Sequence, residues 1–571
     1  MVEQKLTGYP SIDKPWLKYY SEAAINTPLP ECTIYEYLWQ NNKDHLEDIA
    51  LKYFERAITY KELFANIDKV SRALTNIGVT KNDVVTLQVL NQPETVYLFY
   101  ALNRIGATTC VVNVLSSVNE LVHYLEECRS KFFITLDIFI DKAMQAAKIV
   151  GIHKVISVSP FESSKGLRKS ATYINSIKCI TTRHALSWKS FIKNQVSAFE
   201  MQPYQKGRCA VIGHTGGTTG TPKGVKLTDD SFNSIVHQYL GKWEHRRQES
   251  FLALIVPFAI YGLVVNLHLP LCAGMTVILI PKVVPKKTYK LLQKYKPNHV
   301  SSIPSYWKSI AECEKIGDLS FLKTAGAGGA SPSLNMIKRL NSTFKTHGSR
   351  AIFLSGYGLS EVGSIACTQN PDCAELGSVG IPLPQVCVSA FDPKTGKEKM
   401  VNEVGEICIN SPSTMIGYVN NEAETNRLLQ VHEDGRLWVH TGDIGYISPR
   451  GAVFISGRMK RIYITQQDGA ISKIFPERIE HTIKNHAAIK DCAVVCCKSI
   501  EHLYVPVAFL LIEKNMQNEH RRVISQIQGL CKRALPEYAQ PRKYFVLNSL
   551  PLTPVGKVDF RALEHMAAEQ I

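Results

Sequence analysis

Residues 215–224 read Thr-Gly-Gly-Thr-Thr-Gly-Thr-Pro-Lys-Gly, a run whose residue types and order suit a polyphosphate. Gly216, Gly217 and Gly220 permit tight turns that aim unblocked N–H groups at an anion. Thr215, Thr218 and Thr219 add hydroxyl donors, and Lys223 adds a positive charge. The run is not a Walker loop, because no Gly-Lys-Ser/Thr follows the glycines at the required spacing. The plain alternative is a flexible linker. A linker has no need of three threonines and a lysine set between apolar runs at 208–212 and 225–227.

Four further segments follow in order. Gly356-Tyr357-Gly358-Leu359-Ser360-Glu361 combines an aromatic, a hydroxyl and a carboxylate in a glycine-kinked turn. Thr441-Gly442-Asp443 places a carboxylate after the strand-like run 437–440, and Gly457-Arg458-Met459-Lys460 comes next. Leu552-Thr553-Pro554-Val555-Gly556-Lys557 offers a lysine on a tight turn near the end. Taken singly, Asp443 reads as a turn residue at a strand end, Tyr357 as a core aromatic, and Glu361 as a solvated or helix-capping acid. Lys557 read singly is a surface lysine. Only the ordered set is specific.

The elements that must position these groups follow from periodicity. Leu63, Phe64, Ile67, Val70, Leu74 and Ile77 share one helical face over 60–78. A strand at 84–89, a helix at 94–104 and a strand at 107–112 then argue for βαβ units and a largely parallel sheet. The 215–224 loop is expected between a strand and a helical segment at 231–240, where ligand sites of such sheets lie. From about 377 short β-like runs such as 405–410 and 451–455 alternate with turns. After Arg458 the chain reads as a smaller unit, with helices near 477–486 and 519–534 and strands near 492–496, 505–512 and 543–547. The expected fold is α/β, with a large N-terminal αβ-layered domain (1–459), mainly parallel sheets and a β-rich subdomain. A small α+β C-terminal lid domain (460–571) follows. The uncharged stretch 251–281 is long enough to span a bilayer, but Pro257, Gly262, Asn266, His268, Pro270 and Gly274 interrupt it. A strand near 251–256, a helix near 260–273 and a strand near 275–280 account for the same letters.

Composition limits the function classes. With 45% hydrophobic and 20% charged residues, the 571-residue chain is that of an ordinary globular protein. Fifteen scattered cysteines without a Cys-x-x-Cys pair favour buried thiols over disulfides or a metal site, and with them a cytoplasmic location. The polar start, 1–16, is not read as a signal peptide. The net charge of +16 is concentrated in two stretches, 151–200, with eight Lys/Arg against two Glu, and 458–571. Solvated basic surface is the commoner origin of such excess. The functional alternatives are nucleotide phosphates, a phosphate-bearing coenzyme, an acidic carrier protein or peripheral contact with an anionic membrane. No nucleic-acid-binding motif is present.

The ordered segments resemble those of the adenylate-forming (AMP-binding) superfamily, which holds acyl-CoA synthetases, carrier-protein-loading adenylation domains and luciferases. The resemblance runs from about residue 30 to 565. It extends to Gly328-Gly329-Ala330, similar to the family's adenine-flanking turn, and to Gly377-Ser378-Val379-Gly380 and Gly417-Tyr418. It implies ATP-dependent conversion of a carboxylic acid to an acyl-adenylate, then attack by the thiol of coenzyme A or of a phosphopantetheine arm on a carrier protein. Lys557 would stabilise charge at the attacked α-phosphate, and Glu361 would ligate Mg2+. Thr215, Thr218 and Thr219, with Gly216, Gly217 and Lys223 in the same loop, would hold the β- and γ-phosphates, and Ser360 the α-phosphate. Asp443 would accept from the ribose hydroxyls with Arg458 nearby, while Tyr357, beside Gly358, would stack on adenine. Lys460 occupies the family's hinge position, where the C-terminal domain rotates between half-reactions and moves Lys557 out of the site.

The chain also departs from the family pattern. Gly216 stands where Ser is usual, and Ser360 replaces the commoner Thr. The stretch Gly469 to Pro476 is about two residues longer than expected, and Arg478 stands where the first Glu of Pro-x-Glu-Ile-Glu belongs. That loop lines the thiol tunnel in relatives, so the acceptor stays open. The acyl pocket is expected partly from 257–263, where Phe258-Ala259-Ile260 lacks the Asp that pairs with an amino-acid ammonium. A fatty, alicyclic or aryl acid is expected. Three readings follow: a coenzyme A ligase, a carrier-protein loader, and a non-catalytic acyl or nucleotide binder.

Overall fold

Runs of β-branched and apolar residues separated by amphipathic helices build two large, mainly parallel sheets. The computed structural model describes residues 6–164, 185–215, 222–242, 244–313, 315–330, 332–461, 463–467, 470–499, 503–513, 516, 519–553 and 558–569. Residues 165–184 of the basic stretch 151–200, with five of its eight Lys/Arg, lie outside these residues.

The first sheet has eight strands. Cys209–Thr215, Thr108–Val111, Val84–Gln88, Phe132–Leu136, Lys154–Val158 and Ala185–Ser187 run parallel in that spatial order. Lys223–Thr228 and Gly417–Tyr418 extend it antiparallel beyond Cys209–Thr215. The second sheet has nine strands, with a parallel centre from Phe353–Tyr357 through Thr324–Ala327, His299–Ser302, Ser250–Ala253 and Thr276–Leu279 to Ile49–Tyr53. Phe132–Leu136 and Thr276–Leu279 are buried at every position, the pattern of strands covered on both faces.

Helix Tyr60–Asn76 starts in a capping box, in which Thr59 accepts from the Glu62 N–H while the Glu62 side chain accepts from that of Thr59. Its i, i+3, i+4 residues Leu63, Phe64, Ile67, Val70 and Leu74 are all buried, and Ile77 ends it. Helices Pro93–Ile105 and Asp229–Leu240 share one core with strand residues of both sheets, such as Val85 and Val277. Pro93–Ile105 is therefore buried almost throughout, Glu94 included, and Gly106 closes it at φ +81°.

The uncharged stretch 251–281 is buried structure. Strand Ser250–Ala253 leads to a π-helical turn, Gly262–His268, which continues as Leu269–Cys272 before strand Thr276–Leu279. Buried Asn266 accepts from the Leu254 and Ile255 N–H groups at 3.1 and 3.2 Å, tying the π turn to the end of the strand. Among the described residues no helix is long and apolar enough to cross a membrane. The described cysteines are free, and nearly all are buried.

From 387 the texture changes as expected, to a five-stranded antiparallel sheet of Cys387–Phe391, Gly405–Asn410, Leu429–Val431, Leu437–Ile447 and Val453–Arg458. Beyond it come the hairpin Tyr463–Gln467/Ala470–Ile474 and a three-stranded sheet of Ile489–Ser499, Leu503–Ile512 and Lys543–Val546. Ile479 and Ile483 of helix Pro476–Lys484, with Val523 and Ile527 of helix His520–Ala534, share a core with Val494 and Leu510 of that sheet. The architecture is α/β: a large N-terminal portion with mainly parallel sheets and a β-rich part, followed by a small C-terminal portion.

Phe232 is fully buried, with its ring 5.7 Å from that of Phe99 and 6.3 Å from the His268 imidazole. Phe232→Ala should destabilise the N-terminal portion by about 3–5 kcal/mol in denaturant titration; a loss below about 1 kcal/mol would contradict this packing.

Candidate active site

Thr215 and Lys223 are register partners at the loop end of a β-hairpin, Cys209–Thr215 against Lys223–Thr228. This corrects the expected strand-to-helix placement of the loop. Val225 and Leu227 are both buried, so the segment after the loop pairs as a strand before Thr228 caps helix Asp229–Leu240. Gly216, Gly217, Thr218 and Thr219 lie outside the described residues. Lys223 forms an ion pair with Glu424 and sits 5.1 Å from the centroid of the Tyr418 ring. Arg427 and then Lys223 hold the Glu424 carboxyl down at about 2.

Strand Phe353–Tyr357 delivers the second segment. A Cβ on Gly358 would lie 2.0 Å from the Ser364 carbonyl oxygen, so only glycine allows the chain to fold back here. Ser360–Val362 forms a 3-10 turn that ends at Gly363, φ +74°. Glu361 Oε1 accepts a 2.7 Å hydrogen bond from the Tyr418 hydroxyl. Burial and then the Glu361 charge push the Tyr418 phenol above its ordinary value, so it remains a donor.

Tyr357 donates to Asp443 Oδ2 at 2.5 Å, and Arg458 Nε meets Asp443 Oδ1 at 2.6 Å. Asp443 and Arg458 are register partners on Leu437–Ile447 and Val453–Arg458. The Asp443 side chain is only 4% exposed. Burial and Asp443 raise the Tyr357 phenol well above its usual value. The turn before Asp443 is fixed from below: Glu406 accepts from the Gly442 N–H at 2.9 Å, and its other oxygen lies 2.9 Å from His440 Nδ1.

Beyond Arg458 a 3-10 turn, Met459–Arg461, carries the expected hinge residue Lys460, whose side chain is outside the described residues. Arg461 reaches Glu477 at 2.7 Å, Glu480 at 2.8 Å and the Val494 carbonyl at 2.8 Å. Its guanidinium lies 3.7 Å from the centroid of the Phe560 ring. A Cβ on Gly457 would come 2.6 Å from Glu477 Oε2, so this strand and helix Pro476–Lys484 touch through a glycine. Lys557 lies outside the described residues; Leu552 and Val558 on either side of it form an antiparallel bridge.

One cleft of about 3570 Å3 gathers these groups. Thr215, Lys223, Gly328, Gly329 and Ala330 line it, as do Tyr357, Gly358, Ser360, Glu361, Asp443 and Arg458. Phe258, Ala259, Ile260 and Tyr261 supply an apolar wall continuous with it, and the Tyr261 hydroxyl lies 2.5 Å from Ser301 Oγ. A site for one small molecule is usually about 300–1,000 Å3, so the cleft has room for two large ligands. Sequence reasoning missed Glu406, Glu424, Arg461 and Glu477. It placed Tyr418 without a role; only the Gly417-Tyr418 motif signalled it.

Burial is the largest influence on Glu477, lifting its carboxyl to about 7 against the pull of Arg461. The raised value means that the packed arrangement is most stable below the ordinary carboxylate range and loses that contribution as pH climbs through about 7. Proteolysis of the 459–475 segment should therefore accelerate as pH rises from about 4.5 to about 7 in the parent chain and level off above that, and the dependence should flatten in Glu477→Gln. An equal acceleration in both would assign the effect elsewhere.

The AMP-binding enzyme family matches residues 38–419, and the AMP-binding enzyme C-terminal domain matches 478–557. The long-chain-fatty-acid–CoA ligase of Bacillus subtilis (strain 168) is 26% identical over 96% of this chain and 97% of its own length. The 4-coumarate–CoA ligase CCL1 of Humulus lupulus is 28% identical over 88% and 87%. Among solved structures, the anthranilate CoA ligase AuaEII in complex with anthranoyl-AMP superposes with a TM-score of 0.81 at 20% identity, covering 96% of this chain and 99% of that one. ATP-bound MatB from Rhodopseudomonas palustris gives 0.79 at 22%, covering 93% and 98%. These structures share the fold. With the matches spanning most of its length and the motif residues lining one cleft, the chain belongs to the AMP-binding, adenylate-forming enzyme family.

Proposed function

We propose that the protein is an acid–thiol ligase that adenylates an apolar carboxylic acid with ATP and transfers the acyl group to coenzyme A. The observation that carries this reading is the single cleft in which Asp443, Arg458 and Tyr357 face Glu361, Thr215 and Lys223 beside an uncharged wall. In the first half-reaction a substrate carboxylate oxygen bonds to the α-phosphorus and the bond to pyrophosphate breaks. In the second, the thiol sulfur bonds to the acyl carbon and AMP departs with that oxygen.

The motif residues have distinct tasks. Asp443, oriented by Tyr357 and Arg458, keeps lone pairs for the ribose hydroxyls. The 215–224 loop receives the β- and γ-phosphates, and Ser360 the α-phosphate. Glu361 suits a Mg2+ ion, since it is a hard carboxylate held by Tyr418 at one oxygen; the ion would neutralise phosphate charge. Lys557 supplies positive charge as the α-phosphate is attacked. Phe258, Ala259 and Ile260 offer no partner to a substrate ammonium, which supports a fatty, alicyclic or aryl acid over an amino acid. The turn at Lys460 is the hinge between residues 1–459 and 460–571.

Pyrophosphate release across a panel of fatty, alicyclic, aryl and amino acids tests the reading, with coenzyme A and a phosphopantetheine carrier protein as competing acceptors. Apolar acids should support release and yield the coenzyme A thioester. Release with no acid, or thioester on the carrier alone, would overturn it. Lys557→Ala should slow adenylation about 100- to 1,000-fold with ATP binding nearly unchanged; lost ATP affinity at an unchanged rate would contradict this role. Lys460→Pro should spare adenylate formation and cripple thioester formation, whereas equal loss of both would count against the hinge.

A further inference from the structure

A second cluster lies under the phosphate loop and takes no part in the chemistry above. Cys110 sits on strand Thr108–Val111, Cys128 directly follows helix Val118–Glu127, and His214 precedes Thr215 on the neighbouring strand Cys209–Thr215. Cys110 Sγ and Cys128 Sγ are 3.5 Å apart, and Cys128 Sγ lies 3.9 Å from His214 Nε2. All three ligand atoms fall within 4.8 Å of one another. We propose that Cys110, Cys128 and His214, with a water as the fourth ligand, form a binding site for a soft divalent cation of the zinc class.

Zinc–sulfur and zinc–nitrogen bonds of about 2.3 and 2.0 Å give a tetrahedron with edges of about 3.5–3.8 Å, close to the spacings found. Glu127 Oε2 is 2.9 Å from His214 Nε2, a hydrogen bond that a metal on Nε2 would replace. His214 Nδ1 faces the Val111 carbonyl oxygen at 3.5 Å and can keep its proton there, while metal binding would displace the Nε2 proton now shared with Glu127. Cys110 and Cys128 are buried, and the His214 side chain, only 6% exposed, lies on the cleft wall, where a water can complete the tetrahedron. The two sulfurs select zinc-like cations over magnesium or calcium. Binding releases the thiol protons and ties a helix end to two strands at the base of the loop, so the bound metal stabilises the fold and steadies Thr215.

A second group, Glu406, Cys408 and His440, meets the same spacing limit but has one sulfur, and its carboxylate already holds the Gly442 N–H and His440. It provides the control. Cobalt(II), added to the metal-free full-length chain, should bind tightly at one equivalent with tetrahedral thiolate–cobalt absorption and raise the melting temperature. The signal should vanish in Cys110→Ser and Cys128→Ser and persist in Cys408→Ser. No thiolate–cobalt band in the parent chain, or a band that depends on Cys408 alone, would overturn the proposal. A measurement free of variants is zinc X-ray absorption on the parent chain. Two sulfurs at about 2.3 Å and two lighter ligands at about 2.0 Å are expected; a shell with one sulfur or none would overturn it. So would a Cys110–Cys128 disulfide in the freshly isolated parent chain.

Discussion

A carboxylate with almost no contact with water must be paired and hydrogen-bonded, or it loses its charge or destabilises the fold. Asp443 is that carboxylate, and two of its partners come from different layers. Tyr357 ends a strand of the nine-stranded sheet, while Arg458 ends the strand paired with Asp443 in the five-stranded sheet. Satisfying Asp443 therefore aligns the two sheets at the cleft. It also fixes the start of the chain that continues to Lys460 and Arg461. The Gly442 N–H, held by Glu406, keeps the turn from relaxing.

Three residues beyond Arg458 a second charged cluster takes over. Arg461 is engaged by Glu477, Glu480, a strand carbonyl and the Phe560 ring, so it belongs to the C-terminal portion. Glu477 in turn presses on Gly457 of the N-terminal portion. The joint is thus electrostatic and conditional, with one carboxyl close to its titration point near neutral pH. Such a contact can open without exposing a large apolar face, as the hinge proposed at Lys460 would require. The contact comes from Glu477, next to Arg478, the residue that departs from the family pattern.

Periodicity revealed much of this fold. The apolar face of 60–76, the alternation through 84–111 and the buried reading of 251–281 all follow from residue spacing, because burial on one or both faces leaves a local signature. The motif residues of the cleft were legible for another reason: glycines such as Gly358 mark places where the backbone has no room for a side chain. Pairings across the chain were not legible. Tyr418 with Glu361, Lys223 with Glu424 and Glu406 with the Asp443 turn join residues far apart in sequence, and neither partner carries a sign of the other. The hairpin at the loop was missed because the two strand residues that face the core, Val225 and Leu227, are too few to show a period before the helix begins. The π-helical turn at Gly262–His268 depends on buried Asn266 reaching back to the preceding strand, a tertiary hydrogen bond that no local pattern encodes.

The account turns on attack of a carboxylate oxygen at the α-phosphorus, followed by attack of sulfur at the acyl carbon. An apolar acid that supports turnover, labelled with oxygen-18 in both carboxylate positions, reports this directly when the products are weighed by mass spectrometry. The account predicts AMP carrying one labelled oxygen, unlabelled pyrophosphate, and a thioester that retains the other label. Label in inorganic phosphate with ADP as the nucleotide product, or AMP free of label, would contradict it.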